Sequence, residues 1–288
     1  MGNTLWNNVK TVMLLSGLTM LVLVGGYALG GQTGVVIALV IAAVMNFASF
    51  FFSDKIALAS MQAYEVGPDH ELYRIVQPMA QRAGLPMPRV YISPQQAPNA
   101  FATGRGPNHS AVCATEGLLH ALSRQEVAGV MGHELAHVKH RDILITTVAA
   151  TIGGAISFLG NMFMWNSMMG GHRHSDEEGD SPLGLIGGLL LMVLGPIAAA
   201  VIQMAISRQR EYAADTEGAR LAGDPVYLAS ALQKIHHAAD RIPMDVNPAF
   251  NALMIAEPRS LSSRMADLFS THPPLEKRMM NLIGREYL

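Results

Sequence analysis

Four long apolar stretches interrupt the 288-residue chain, at 11–30, 33–52, 143–165 and 183–206. Each is long enough for the ~20 helical residues that cross a hydrocarbon core. The first is longer than the ~7–15 apolar residues of a signal peptide, and no small-residue cleavage site follows before the second, so it reads as a retained anchor. Only a Gly-rich turn at 30–32 separates the first two, which makes them a helical hairpin. In the fourth, Gly187, Gly188, Gly195 and Pro196 favour a kink or close packing on a neighbour.

The polar segments carry different periods. Residues 69–83, "DHELYRIVQPMAQRA", read as an amphipathic helix with Pro78 as a kink point. Residues 89–93, 99–104 and 110–115 are short strands bounded by Pro and Gly. "SRQE" then opens a helix, with Ser123 as cap and Glu126 completing a capping box. No Gly-Pro break intervenes before the third apolar run, so one helix is expected to pass from Ser123 into the membrane. The pattern predicts an α-helical membrane protein carrying an α+β domain, with about four transmembrane helices and the Ser123 helix running into the third.

Charge orients these pieces. Of the 20 Lys and Arg, only Arg173 lies in the loop between the third and fourth runs. Lys10 precedes the first run, eight lie between Asp54 and Asp142, and ten follow from Arg208. By the positive-inside rule both termini and both polar segments are cytoplasmic, and the two segments fold together. The expected organisation is a hairpin at 1–54, domain halves at 55–142 and 207–288, and a second hairpin at 143–206. With 50% hydrophobic and 15% charged residues the chain is too apolar for an ordinary soluble protein. A net charge of -2 gives no reason to expect nucleic acid. The single cysteine, Cys113, sits in a strand-like "AVCAT" and reads as a small buried thiol.

The chemistry is concentrated in "VMGHELAHVKHR" at 130–141. His133 and His137 are four apart, so a helix places both imidazoles on one face, within reach of one zinc ion. Glu134 sits beside them as a proton acceptor for a water whose pKa the metal lowers. A hydrolytic zinc needs a third protein ligand and an open position. The extended motif that ends in Gly-x-x-His fails, because its last positions hold His140 and Ile143. No glutamate occurs in the apolar run that follows. The remaining acids are those of the loop, such as Glu177 and Glu178, across the membrane by the topology above, and those after the fourth run, where Glu211 and Asp215 stand four apart just beyond its end. His140 reads as a solvated residue, and His236 and His237 as surface or packing residues. A zinc transporter would need ionisable groups within the spans, which hold none. A prenyl-protein protease enclosing a large intramembrane chamber would need more than four.

"HELAH", "SRQREYAAD", "NAFATG" and "THPPLEKR", in the order 133–137, 207–215, 99–104 and 271–278, resemble the HtpX family of bacterial membrane zinc metalloproteases over nearly the whole chain. The resemblance implies a zincin-like (gluzincin-type) endopeptidase of the bacterial inner membrane with a cytoplasmic active site. Such an enzyme hydrolyses peptide bonds of misfolded or damaged membrane proteins in the stress response. It further implies one zinc ion per chain held by His133, His137 and Glu211, with Glu134 as general base. Asp215 would orient a ligand imidazole. His272 would either stabilise the oxyanion or cap the "HPP" turn. "NAFATG" is either an ordinary core strand or an edge that accepts an extended peptide by β-addition. Asn99 correspondingly bonds substrate backbone or makes the turn after Pro98. Ligand-bearing helices that also anchor the domain put the metal near the membrane surface, within reach of loops that barely leave the bilayer.

Overall fold

A computed structural model describes residues 2–153, 208–239, 241, 242, 244, 250, 253–255 and 273–284. The fourth apolar run, the acidic loop, His272 and all but the start of the third run lie outside the described residues.

The chain begins with α1 (Gly2–Phe51), broken at Gly30 and Gly31. Gly31 has φ 57° and ψ -138°, a conformation only glycine adopts without cost. Its two apolar parts, Asn7–Val24 and Gly30–Phe51, are each long and apolar enough to cross a membrane. They lie side by side. A Cβ on Gly34 would sit 2.0 Å from the Gly26 carbonyl oxygen, and Asn46 Nδ2 donates to Thr19 Oγ1 at 2.7 Å. Small residues at the contact and a side-chain bond across it are the devices by which helices associate where water gives no hydrophobic drive. Val36, Leu39, Val40 and Phe47 leave more than half of their surface uncovered, as lipid-facing side chains do.

The domain starts with α2 (Ser53–Ser60), β1 (Tyr64–Val66) and α3 (Glu71–Ala83). Strands β2 (Arg89–Ser93), β3 (Ala100–Gly106) and β4 (His109–Thr115) follow, then α4 (Glu116–Ala121) and α5 (Arg124–His140). Next come α6 (Ile143–Gly153), α7 (Arg208–Ala222), α8 (Pro225–Ala239) and α9 (Leu275–Ile283). The sheet order is β1-β2-β4-β3; β2 and β4 run parallel and the outer pairings are antiparallel. Alternation sorts the strand residues between two faces. Val90, Ile92, Ala102 and Val112 face the main core with α3, α5, α7 and α8, while Tyr91, Phe101 and Cys113 face α2. Cys113 is fully buried there, and burial pushes its thiol pKa far up, so it stays protonated. Pro78 lies within an uninterrupted α3.

One expectation is corrected. The Ser123 helix does not run into the third apolar run. It ends at His140, where Arg141 takes a left-handed conformation (φ 60°) and donates back to the His137 and Val138 carbonyls. Asp142 N then donates to the His137 carbonyl at 3.0 Å, before α6 begins. The break needs no glycine because the terminal carbonyls keep their partners. It turns Asp142 back beneath the last turn of α5. Leu14, Leu18, Ile145, Val148, Ala149 and Ile152 then pack α6 against α1.

Candidate metal centre

Helix α5 is fixed at its start by the capping box. Glu126 N donates to Ser123 Oγ at 3.4 Å, and Ser123 N donates to the Glu126 carboxylate at 2.7 Å. The same carboxylate receives Ser230 Oγ and Lys234 Nζ from α8. These bonds outweigh the cost of burial and hold its pKa at about 2. Helix α7 crosses α5 at two glycines. A Cβ on Gly218 would lie 2.5 Å from His133 N, and one on Gly132 would lie 2.6 Å from the Gly218 carbonyl oxygen. Backbone thus meets backbone one residue from the HExxH motif. That approach brings in Asp215 and Glu211, which lie one and two helical turns earlier on α7.

The result is a compact cluster. Single ligand atoms from His133, His137 and Glu211 all lie within 4.8 Å of one another, a group able to hold a metal ion. His133 Nε2 is 3.1 Å from His137 Nε2 and 3.7 Å from Glu211 Oε2, while His137 Nε2 is 3.5 Å from Glu211 Oε1. The far nitrogen of each ring faces a carboxylate: His133 Nδ1 lies 2.9 Å from Asp215, and His137 Nδ1 lies 3.4 Å from Asp142. An ionised carboxylate only accepts, so each Nδ1 carries a proton and each Nε2 faces the point where the three side chains meet. Metal binding needs both Nε2 atoms unprotonated, with the proton on Nδ1 held by the carboxylate behind it. The donor set therefore fits a metal ion.

Electrostatics separate the two imidazoles. Burial lowers the pKa of His133 to about 4 despite Asp215, because the ring is closed off from water and His137 and Arg278 oppose a charge there. Burial also acts against a charge on His137, but Glu211, Asp142 and Glu134 overcome it and raise that pKa to about 9. Asp215 is buried, yet the Arg278 guanidinium and His133 hold its pKa at about 2. Glu134 is 2% exposed and lines the same cavity as His133, His137 and Glu211.

Residues 67–286 match the model of peptidase family M48. The chain belongs to peptidase family M48. Near relatives bear the name "Protease HtpX homolog". The protein of Desulfatibacillum aliphaticivorans is 54% identical over 280 residues, covering 96% of this chain and 89% of that one. The Thermodesulfovibrio yellowstonii protein is 51% identical over 285 residues, covering 98% and 100%. Among solved structures, S. mikatae Ste24p is similar in fold, with a TM-score of 0.52 and 19% identity over 98% of this chain and 67% of that one. The M48 peptidase is accordingly a metalloprotease, a hydrolase of peptide bonds.

Of the residues singled out from the sequence of this M48 peptidase, the fold brings His133, Glu134, His137, Glu211 and Asp215 together. Asn99 is not among the residues lining the cavity. It is 3% exposed, and its Oδ1 accepts from Ala100 N at the start of β3. β3 is an edge strand, but the Ile255 amide donates to the Ala100 carbonyl at 3.0 Å, and residues 253–255 line the cavity beside Ala102. The space left measures about 30 Å³, enough for a water. Three supports escaped the sequence reading. Asp142 holds His137 and is itself held by Asn7 Nδ2 at 2.9 Å and Arg210 at 3.3 Å. Arg278 binds both Asp215 oxygens. Gly218 sets the helix approach. A charged residue at the mouth of an apolar run was the one available signal for Asp142, while Arg278 lay unassigned within "THPPLEKR".

Proposed function

We propose that this M48 peptidase is an integral-membrane, zinc-dependent endopeptidase that cuts misfolded or damaged membrane proteins at the cytoplasmic face of the bacterial inner membrane. The supporting observation is the convergence of two imidazole nitrogens and one carboxylate on a single point. A four-coordinate zinc with ligands at ~2.0–2.2 Å sets neighbouring ligand atoms roughly 3.3 Å apart. The observed separations of 3.1, 3.5 and 3.7 Å bracket that value. Three protein ligands, His133, His137 and Glu211, leave the fourth position to water and substrate, as in catalytic rather than structural sites.

When bound, zinc lowers the pKa of a water towards ~7 and polarises the scissile carbonyl. Glu134 accepts the proton as the nucleophile forms and returns it to the leaving amine. Asp215 and Asp142 fix the ring orientation and tautomer of His133 and His137. An extended substrate laid along β3 takes the place that residues 253–255 hold beside Ala100 and Ala102.

The two long arms of α1 and the distribution of Lys and Arg support a multi-pass chain with the boundaries 1–54, 55–142, 143–206 and 207–288. The Asn7–Asp142 bond supports a metal site close to the bilayer surface, because it ties the start of the first apolar arm to a ligand imidazole. Substrates emerging from the membrane suit that location. Digestion of a misfolded membrane protein by purified enzyme tests the reading. Glu134→Gln is expected to keep one zinc per chain and lose proteolysis, since only the proton acceptor is gone. Activity near wild type in that variant would contradict the assignment.

A further inference from the structure

A second cavity, of about 410 Å³, opens where α1 meets the domain, away from the metal centre. One wall is aromatic: Phe47, Phe51 and Phe52 end the second apolar arm and are 55%, 40% and 43% exposed. Their rings interlock, Phe47 and Phe51 at 4.5 Å and Phe47 and Phe52 at 6.0 Å between centroids. The other wall is cationic, formed by Lys55, Arg89 and Arg105. Aromatic side chains ending an apolar helix, followed at once by cations, mark the headgroup level of a bilayer.

The cations are not all neutralised. Asp54, the carboxylate in the lining, is bound to Arg89 at 3.0 Å. Lys55 Nζ lies 5.6 Å from the Phe52 ring centre, and the Arg105 guanidinium lies 5.1 Å from that of Phe51. Arg105 Nε is buried and has no hydrogen-bond partner among the described residues. A buried charged donor without an acceptor is costly, and an anionic oxygen relieves it. Backbone geometry commits Arg105 to this place. The β3–β4 register slips between Gly104 and Gly106, whose φ angles are 134° and 147°. A Cβ on Gly104 would lie 2.1 Å from the His109 carbonyl oxygen, so the bulge requires glycine. Such bulges re-aim side chains, and this one carries Arg105 over Phe51.

We infer that this cavity binds the phosphate of an anionic phospholipid, with Arg105 and Lys55 on the phosphate and the glycerol and acyl chains along the Phe47–Phe51 face of α1. Arginine suits the role because its planar fork meets phosphate oxygens in pairs. Basic pockets at the membrane surface beside apolar helices hold lipid headgroups by this chemistry. A soluble phosphate would use the cations but not the aromatic wall. The inference rests on α1 lying in the bilayer.

The full-length protein, reconstituted with equal amounts of phosphatidylglycerol and phosphatidylcholine of the same acyl chains, is analysed for retained lipid by native mass spectrometry. Two unneutralised cations predict up to roughly a thirtyfold preference for phosphatidylglycerol. The preference is expected to vanish in R105Q/K55Q and to persist in Arg74→Gln, a cation of α3 that does not line the cavity. Metal content and thermal midpoint equal to wild type verify that the double variant is folded. Retention without headgroup preference, or a preference unchanged in R105Q/K55Q, overturns the inference alone. Displacement of the lipid by millimolar inorganic phosphate makes the site one for soluble phosphate and overturns it too. No association with lipid at all overturns the membrane reading and the inference together.

Discussion

The two imidazoles of the candidate metal centre sit one helical turn apart on α5 and are supported from opposite directions. His133 is held from within the domain: Asp215 on α7 grips its Nδ1, and Arg278 on α9 grips Asp215 through both oxygens. Asp215 and Arg278 are 0% and 3% exposed. His137 is held from the side of α1. Its partner Asp142 lies in the turn between α5 and α6 and is fixed by Asn7 of α1 and Arg210 at the start of α7. His137 is 15% exposed, and its bond to Asp142 is 0.5 Å longer than the His133–Asp215 pair (3.4 against 2.9 Å). One ligand is thus tied to the fold of the domain and the other to the docking of the domain on its helical hairpin. A site built this way has a part tied to the stability of the domain and a part tied to its docking on α1, and the two can be broken separately.

The largest effect is expected on the His133 side. Asp215→Ala leaves the Arg278 guanidinium buried, unpaired and pointed at His133. Stranding one member of a buried pair costs about 3–5 kcal/mol, so thermal unfolding should show a large loss of stability together with loss of metal. Adding Arg278→Met should recover most of the stability and none of the metal affinity, because the stranded charge is gone while Nδ1 still lacks its acceptor. Recovery of both would make Asp215 a structural residue only.

A smaller and purer effect is expected on the His137 side. Asp142→Asn removes the charge of an orienting carboxylate but keeps an oxygen able to accept from His137, so metal affinity should fall on the order of 10–100-fold, with a small change in unfolding temperature. Asn7→Ala acts through Asp142 and should lower affinity in the same sense by less, about threefold for one hydrogen bond worth ~0.5–1 kcal/mol. Chelator competition reads both. Equal losses of stability in the Asp215 and Asp142 variants would abolish the distinction between the halves.

The smallest effect belongs to the far end of α5. The Glu126 carboxylate has its pKa held at about 2 by Lys234, Ser230 and Ser123. A depressed carboxylate stabilises the fold above its ordinary pKa, and that contribution is lost as pH falls from about 4.5 towards 2. Glu126→Gln should therefore cost about 1 kcal/mol at pH 7, and the difference from wild type should shrink by pH 3. Unfolding of the metal-free protein at the two pH values measures it, and metal affinity at pH 7 should not change.

Local signals in the sequence were sufficient where the cause is local. The capping box at Ser123 and Glu126 has both of its bonds, and β2 occupies the expected 89–93. The His133–His137 pair follows from helical spacing alone. Elimination leaves Glu211 and Asp215, and the family resemblance points to Glu211, but its docking depends on Gly132 and Gly218, whose meeting no periodicity announces. The end of α5 at His140 was illegible for a related reason. Arg141 has no intrinsic preference for a left-handed backbone, and the turn holds because the terminal carbonyls and Asp142 find their partners only in the folded protein. Asn7 and Arg278 lie 135 and 63 residues from the carboxylates they hold, beyond the range of any local pattern.

The proposed metal centre requires α7 to deliver the third ligand to the ion held by α5. The most direct measurement is the zinc content of purified wild type and Glu211→Gln after dialysis against a chelator of moderate strength. The substitution keeps the side chain's size and removes its charge. Wild type should retain one zinc per chain and Glu211→Gln less than about a tenth of that, with a near-normal unfolding profile for the metal-free proteins. Full zinc retention by Glu211→Gln, at wild-type affinity, would contradict the account and remove Glu211 from the site.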